Sequence, residues 1–126
     1  MIEISYDNVM NGLNKHIHMS LLCPTQEEAD RLFRNGIDLW HIDGYSTVKK
    51  AERSIEYGYR LPGGPVSIRF KNFKSMSHSS WRGFRGIFLF HPSFDLEFFD
   101  QLTNAEMNQV DDMNLHNERY LDQWRA

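Results

Sequence analysis

Polar and apolar positions alternate over residues 16–20 and then run apolar to Cys23, the pattern of a strand entering a core. Pro24 stops it. Thr25 followed by Glu28 is a capping box, in which each side chain satisfies the other residue's free backbone N–H. Ala29, Leu32 and Phe33 then form the i, i+3, i+4 stripe of a helix, and Asn35-Gly36 supplies a left-handed stop. Residues 37–45 fit a short strand or a loop. Ser46 or Thr47 opens a second predicted helix, with Val48, Ala51 and Ile55 inward and Gly58 at its end. Pro62, Gly63, Gly64 and Pro65 dictate a turn. Val66, Ile68 and Phe70 then alternate with Ser67, Arg69 and Lys71, which predicts a half-buried strand with a basic outer face. Residues 72–80 are polar and serine-rich, as a loop is. Residues 86–91 form the one uninterrupted apolar strand candidate, expected at the centre of a sheet and covered on both sides. Pro92-Ser93 ends it. A short helix with Leu96, Phe98, Phe99 and Leu102 follows. Asn104 then caps a last helix over 105–124, with Met107, Val110, Leu121 and Trp124 buried.

Strands separated by helices favour an α/β fold, here a small three- to four-stranded sheet flanked by helices and ending in a C-terminal helix. The alternative is an α+β arrangement in which 66–71 and 86–91 pair as a hairpin. No repeat or linker divides the chain. Its 126 residues suit a single domain, 1–126, with an acidic helical segment over 95–124.

Charge changes the picture more than composition does. No carboxylate lies between Glu56 and Asp95, a stretch that carries Arg60, Arg69, Lys71, Lys74, Arg82 and Arg85. The net charge of -3 divides into -3 over residues 1–56, +6 over 57–94 and -6 over 95–126. Phe70, Phe73, Trp81, Phe84 and Phe88 are interleaved with the basic residues. With 17 acids against 14 bases the whole molecule is no general DNA coater, so any nucleic-acid contact is local. The single cysteine, Cys23, excludes an internal disulfide and points to a packed thiol in a reducing compartment. No segment has the ~20 apolar residues of a membrane span. Glu3 and Asp7 near the start, with no basic lead, do not read as a signal peptide. A soluble, cytoplasmic protein with no membrane partner is expected.

Three short stretches carry a family resemblance. Leu21-Leu-Cys-Pro-Thr25 before a helix, the strand from Val66 to Phe70, and Arg82-Gly83 with Arg85-Gly86 before an apolar strand resemble part of a RecA-type P-loop NTPase core. The resemblance is in particular to the ATPase half of phage terminase large subunits and related helicases. The stretch covered is about 16–102. The phosphate-binding G-x-x-x-x-G-K-[ST] loop is missing, and His91-Pro92 stands where a Walker B carboxylate pair belongs. Without either, Mg-NTP hydrolysis loses its positioning and its charge neutralisation. The resemblance therefore implies a degenerate relic without NTPase activity and with no cofactor.

Other constellations also have simpler readings. His16, His18, His41 and Asp43 supply four N/O ligands for a metal-dependent hydrolase or nuclease, or are polar residues facing solvent. Ser77-His78-Ser79-Ser80 lacks the turn that exposes a nucleophile. The Gly58–Gly64 stretch has the glycines of a phosphate cradle, but Pro-Gly chemistry already explains it as a turn. The basic–aromatic window 60–85 is the main candidate. Arg69, Lys71, Lys74, Arg82 and Arg85 would contact phosphates, while Trp81 and Phe84 would stack. Its rival is neutralisation by the acidic C-terminal helix of the same chain. The expected function is a non-enzymatic intracellular binding protein, an accessory or inhibitor from a phage or mobile element, engaging nucleic acid or a nucleoprotein complex. The alternative is a protein–protein inhibitor directed at a host protein, with Glu97, Asp100, Asp111 and Asp112 mimicking nucleic acid. Oligomeric state is not legible.

Overall fold

The computed structural model describes residues 1–58, 65–76, 81 and 83–126. In chain order the elements are α1 (Tyr6–Asn14), β1 (His18–Cys23), α2 (Gln26–Trp40), β2 (Ser46–Lys49), β3 (Ser54–Tyr57), β4 (Val66–Asn72), a 3-10 turn (Phe73–Ser75), β5 (Gly86–Phe90), α3 (Leu96–Asp100), α4 (Asn104–Glu118) and α5 (Leu121–Arg125). The five strands form one mixed sheet in the order β2-β3-β4-β1-β5. β1 pairs in parallel with β4 on one side and β5 on the other, while β2, β3 and β4 are antiparallel neighbours. The fold is therefore α/β, with one more strand than the upper expectation. The 66–71/86–91 hairpin is excluded, because β1 lies between those two strands.

Pleat alternation divides the core into two layers. On one face Met19, Leu21, Ile68, Phe70, Ile87 and Leu89 meet α1 and α2, with Phe33 and Trp40 from α2 packed onto Phe70. On the other face Leu22, Phe88 and Phe90 are covered by Phe73, Trp81 and Phe94, and by Val110 and Met113 of α4. Tyr120 and Trp124 return to the first layer. The carbonyl of Trp124 accepts hydrogen bonds from Lys15 (2.7 Å) and Asn11, which ties α5 to α1.

Several local expectations change. Asn35-Gly36 does not end α2, which runs on to Trp40. A Cβ on Gly36 would stand 2.8 Å from Phe70 Cζ, so this glycine serves close helix–sheet approach rather than a turn. The Glu28 N–H bonds to Thr25 Oγ1 at 3.2 Å, but the Glu28 carboxylate accepts from Ser93 Oγ instead of returning to Thr25. The predicted helix after Ser46 is the β2–β3 hairpin. Strand β5 lies at the end of the sheet rather than at its centre, although it is buried along its whole length. Thr103, not Asn104, caps α4, in a full capping box with Glu106. Within 105–124 the buried residues are Gln109, Val110, Met113 and Asn117, whereas Met107, Leu121 and Trp124 are half-buried. The turn predicted over 61–65 and the serine run 77–80 fall almost wholly outside the described residues. No helix of the described residues is long and apolar enough to cross a membrane.

Candidate nucleic-acid interface

The half of the sheet that α4 leaves uncovered is polar, and its side chains fall into rows set by the strand register. Arg69 on β4 sits between Ser54 of β3 and Ser20 of β1. Ser67 is opposite Glu56 on one side and bonded to His18 on the other. Lys71 stands one row further along β4. Arg69 and Lys71 therefore project together, as strand alternation dictates. Glycine-free strand β4 holds them on a rigid element flanked by small serines, which leaves room above the sheet.

Two adjoining hollows share this cationic pair. One, of about 210 Å³, is lined by Ser20, Ser75, Met76, Trp81 and Phe84 as well as Arg69 and Lys71. The other, of about 220 Å³, adds Glu52, Ser54, Glu56 and Ser67. The Arg69 guanidinium carbon lies 5.7 Å from the Phe84 ring centroid, a cation–π contact that fixes the charge over the hollow. Among the described residues neither Arg69 nor Lys71 forms an ion pair, and neither does Arg85. The nearby Glu56 carboxylate is held by Lys49 at 2.9 Å.

The predicted contact residues separate into distinct roles. Lys74 is drawn away to α4, where its ammonium meets Glu106 at 3.0 Å and lies 5.6 Å from the Phe98 ring. That hydrogen bond, with the Thr103 N–H, lowers the Glu106 pKa. Internal neutralisation by the acidic helix is thus realised at Lys74. Trp81 is only 7% exposed, and its ring packs edge-on against Phe88 at 5.6 Å. It is a wall of the hollow and a core residue rather than a platform for a base, packed edge-on against both Phe88 and the His116 ring of α4. Phe84 is half-buried against Phe88 at 5.1 Å and beneath Arg69. Arg82 lies outside the described residues. Arg85 is exposed at the start of β5, beside a separate hollow.

The four candidate metal ligands do not assemble. His41 Nε2 meets Asp43 at 3.0 Å and His41 Nδ1 meets Ser46 Oγ at 2.6 Å, which closes the turn between α2 and β2. Ser46 Oγ also accepts from the Ile42 N–H at 2.8 Å, so this trio satisfies a local turn. His16 and His18 stand at the amino end of β1. Among the described residues no group of three or more His, Cys, Asp or Glu side chains could hold a metal ion. Glu97 and Asp100 are exposed on α3, and Asp111 and Asp112 are exposed on α4. Burial, with the nearby Glu28 charge, pushes the Cys23 thiol up to about 12, which keeps it protonated.

Sequence reasoning missed the residues that build the walls. Ser20, Ser54 and Ser67 read only as polar strand positions, and their adjacency to Arg69 depends on strand order. Asn117 also escaped notice: its amide donates to the Phe88 carbonyl and accepts from the Phe88 N–H, both at 2.7 Å. No protein-family model, curated protein or solved structure matches this chain.

Proposed function

We propose that this chain is a non-enzymatic binding protein that engages nucleic acid, alone or in a nucleoprotein complex, through the outer face of β4. The observation that carries the reading is the pair Arg69 and Lys71, side by side above small serines with no ion pair among the described residues. Arg85 extends the charge along the amino end of the sheet. With Trp81 committed to the core, grip comes from phosphate contacts rather than from base stacking, so sequence preference is weak. The role that fits is an accessory or inhibitor protein. The central β1 between two parallel strands, followed by Pro24, Thr25 and α2, supports the proposed kinship with a degenerate RecA-type core. That kinship adds nothing to the binding argument.

Fluorescence anisotropy with labelled single-stranded and duplex oligonucleotides tests the reading. Three cations on phosphates predict a log–log salt slope of about -2 to -3. Replacing Arg69 and Lys71 by glutamine removes most of the binding at low salt. Absence of retention on any nucleic acid at low salt would refute the proposal.

A further inference from the structure

A third hollow, of about 380 Å³, opens at the amino ends of β1 and β5. Lys15, His16, His18 and Arg85 line it together with Tyr120, Gln123 and Ala126, and no Asp or Glu side chain contributes among the described residues. We infer that this hollow is a phosphate-binding station, and that a single-stranded polynucleotide lying on Arg69 and Lys71 continues over the sheet end into it. The inference rests on the nucleic-acid reading for the strand, but not for the phosphate.

The backbone supplies the first argument. Helix α1 ends in a Schellman motif, with Ile17 N–H bonded to Gly12 O at 2.9 Å and His16 N–H to Leu13 O at 3.1 Å. The residue in the left-handed position of that motif is normally glycine, and here it is His16, at φ 56. A bulky side chain is kept where it costs stability, and that side chain lines the hollow. Strained positions of this kind collect at binding sites.

The donors are also set. The Ser67 N–H donates to His18 Nδ1 at 3.2 Å, which places the proton of the neutral ring on Nε2 and makes that nitrogen a donor. Lys15 is anchored by the Trp124 carbonyl at 2.7 Å. Arg85 is exposed and forms no ion pair among the described residues. His18 joins the two sites, since its ring bonds Ser67 in the Arg69 hollow and also lines this one.

Topology selects the form of the ligand. Arg69 and Lys71 stand on the sheet face, whereas Lys15, His16 and Arg85 stand at its amino edge, so the cationic path turns a corner within a few residues. Duplex DNA is stiff over about 150 base pairs and follows such a turn only at the cost of a sharp kink. A single strand needs none.

The test uses the full chain. Pyrophosphate is titrated at constant pH while the histidine ring protons are followed by NMR. His16 and His18 are expected to shift saturably, with His41, His91 and His116 unmoved. Unshifted His16 and His18 overturn the station. Single-stranded oligonucleotide binding is then compared in wild type, Arg85→Gln and His16→Gly. Arg85→Gln should lower the log–log salt slope by about 0.7. His16→Gly should bind more weakly while unfolding at a higher urea concentration, a combination that a purely structural role would not give. Oligonucleotide binding unchanged in both variants overturns the shared path and removes Arg85 from the interface, leaving only Arg69 and Lys71 of the β4 reading. Pyrophosphate shifts without any oligonucleotide binding support the phosphate station and refute the nucleic-acid reading.

Discussion

Asn117 shows how one side chain can replace a strand. Strand β5 ends the sheet, and an open edge with unpaired N–H and C=O groups invites foreign pairing. Phe90 N–H and C=O are taken by Ile2 and Ile4 at 2.8 Å each, and the His116 ring lies 3.1 Å from Gly86 O through Nε2. Between them the Asn117 amide brackets Phe88, donating to its carbonyl and accepting from its N–H, and Asn117 itself is only 5% exposed. Asn117→Leu leaves one buried donor and one buried acceptor without partners, each at a cost of about 1–3 kcal/mol. Equilibrium urea unfolding should therefore show a loss of about 3 kcal/mol. A loss below about 1 kcal/mol would mean that water or the Ile2–Ile4 segment takes over the bracket. Nothing in the sequence marked this residue. On a polar helix an asparagine looks like a solvated position, and its partner is 29 residues away.

The β2–β3 hairpin explains why one element was misread and others were not. Val48, Ala51 and Ile55 have helical spacing, yet Val48 and Ile55 are directly opposite each other in the hairpin register, and Ala51 is exposed in its turn. The same apolar positions satisfy both structures, so periodicity alone could not choose. What decides is tertiary: Arg53 takes a left-handed backbone at φ 47, its guanidinium is paired with Asp30 of α2, and its carbonyl accepts from Phe70 N–H at 2.9 Å. The Gln26 hydrogen bond, reinforced by that pairing, lowers the Asp30 pKa. The two contributions of Arg53 can be separated by substitution. Arg53→Gly loses the ion pair but relieves the backbone, whereas Arg53→Ala loses the pair and keeps the strain. Urea midpoints should rank Arg53→Ala below Arg53→Gly, and the reverse order would show that the positive φ carries no cost. By contrast β1, β4 and the start of α2 were legible, because alternation and a Pro-Thr boundary are local signals. The basic face of β4 was legible for the same reason. Its freedom from the acidic helix was not, since that depends on α4 reaching Lys74 and stopping short of Arg69.

At the scale of the whole molecule the +6 middle third is neither free nor quenched as a block. Lys74 is tied to α4, Trp81 is consumed by the core, Arg69 and Lys71 remain on the part of the sheet that α4 leaves open, and Arg85 is exposed just before β5. Two histidines border this division, and both report on it through pH. The His116 ring is packed among Phe88, Phe84, Trp81 and Tyr120, and burial is the main cause that lowers its pKa, with Arg119 adding to it against the opposing Gly86 carbonyl. Burial also leads for His18, reinforced by Arg69 and opposed by Glu56. In both cases the unfolded chain takes up a proton at about pH 6.5, above the lowered folded value. The unfolded state thus binds more protons in this window, and stability must fall as pH drops below about 6.5 until the folded pKa values are passed. Above that pH both states are neutral and the contribution is fully present. Glu106 and Asp30, whose pKa values are depressed, act in a separate and more acidic window. Urea midpoints measured from neutral pH down to about pH 5 should therefore decline in the wild type, and a His18→Gln, His116→Gln double variant should flatten that decline. An equally steep decline in the double variant would place the proton uptake elsewhere. A phosphate seated against His18 opposes the same loss, since an anion favours the protonated ring.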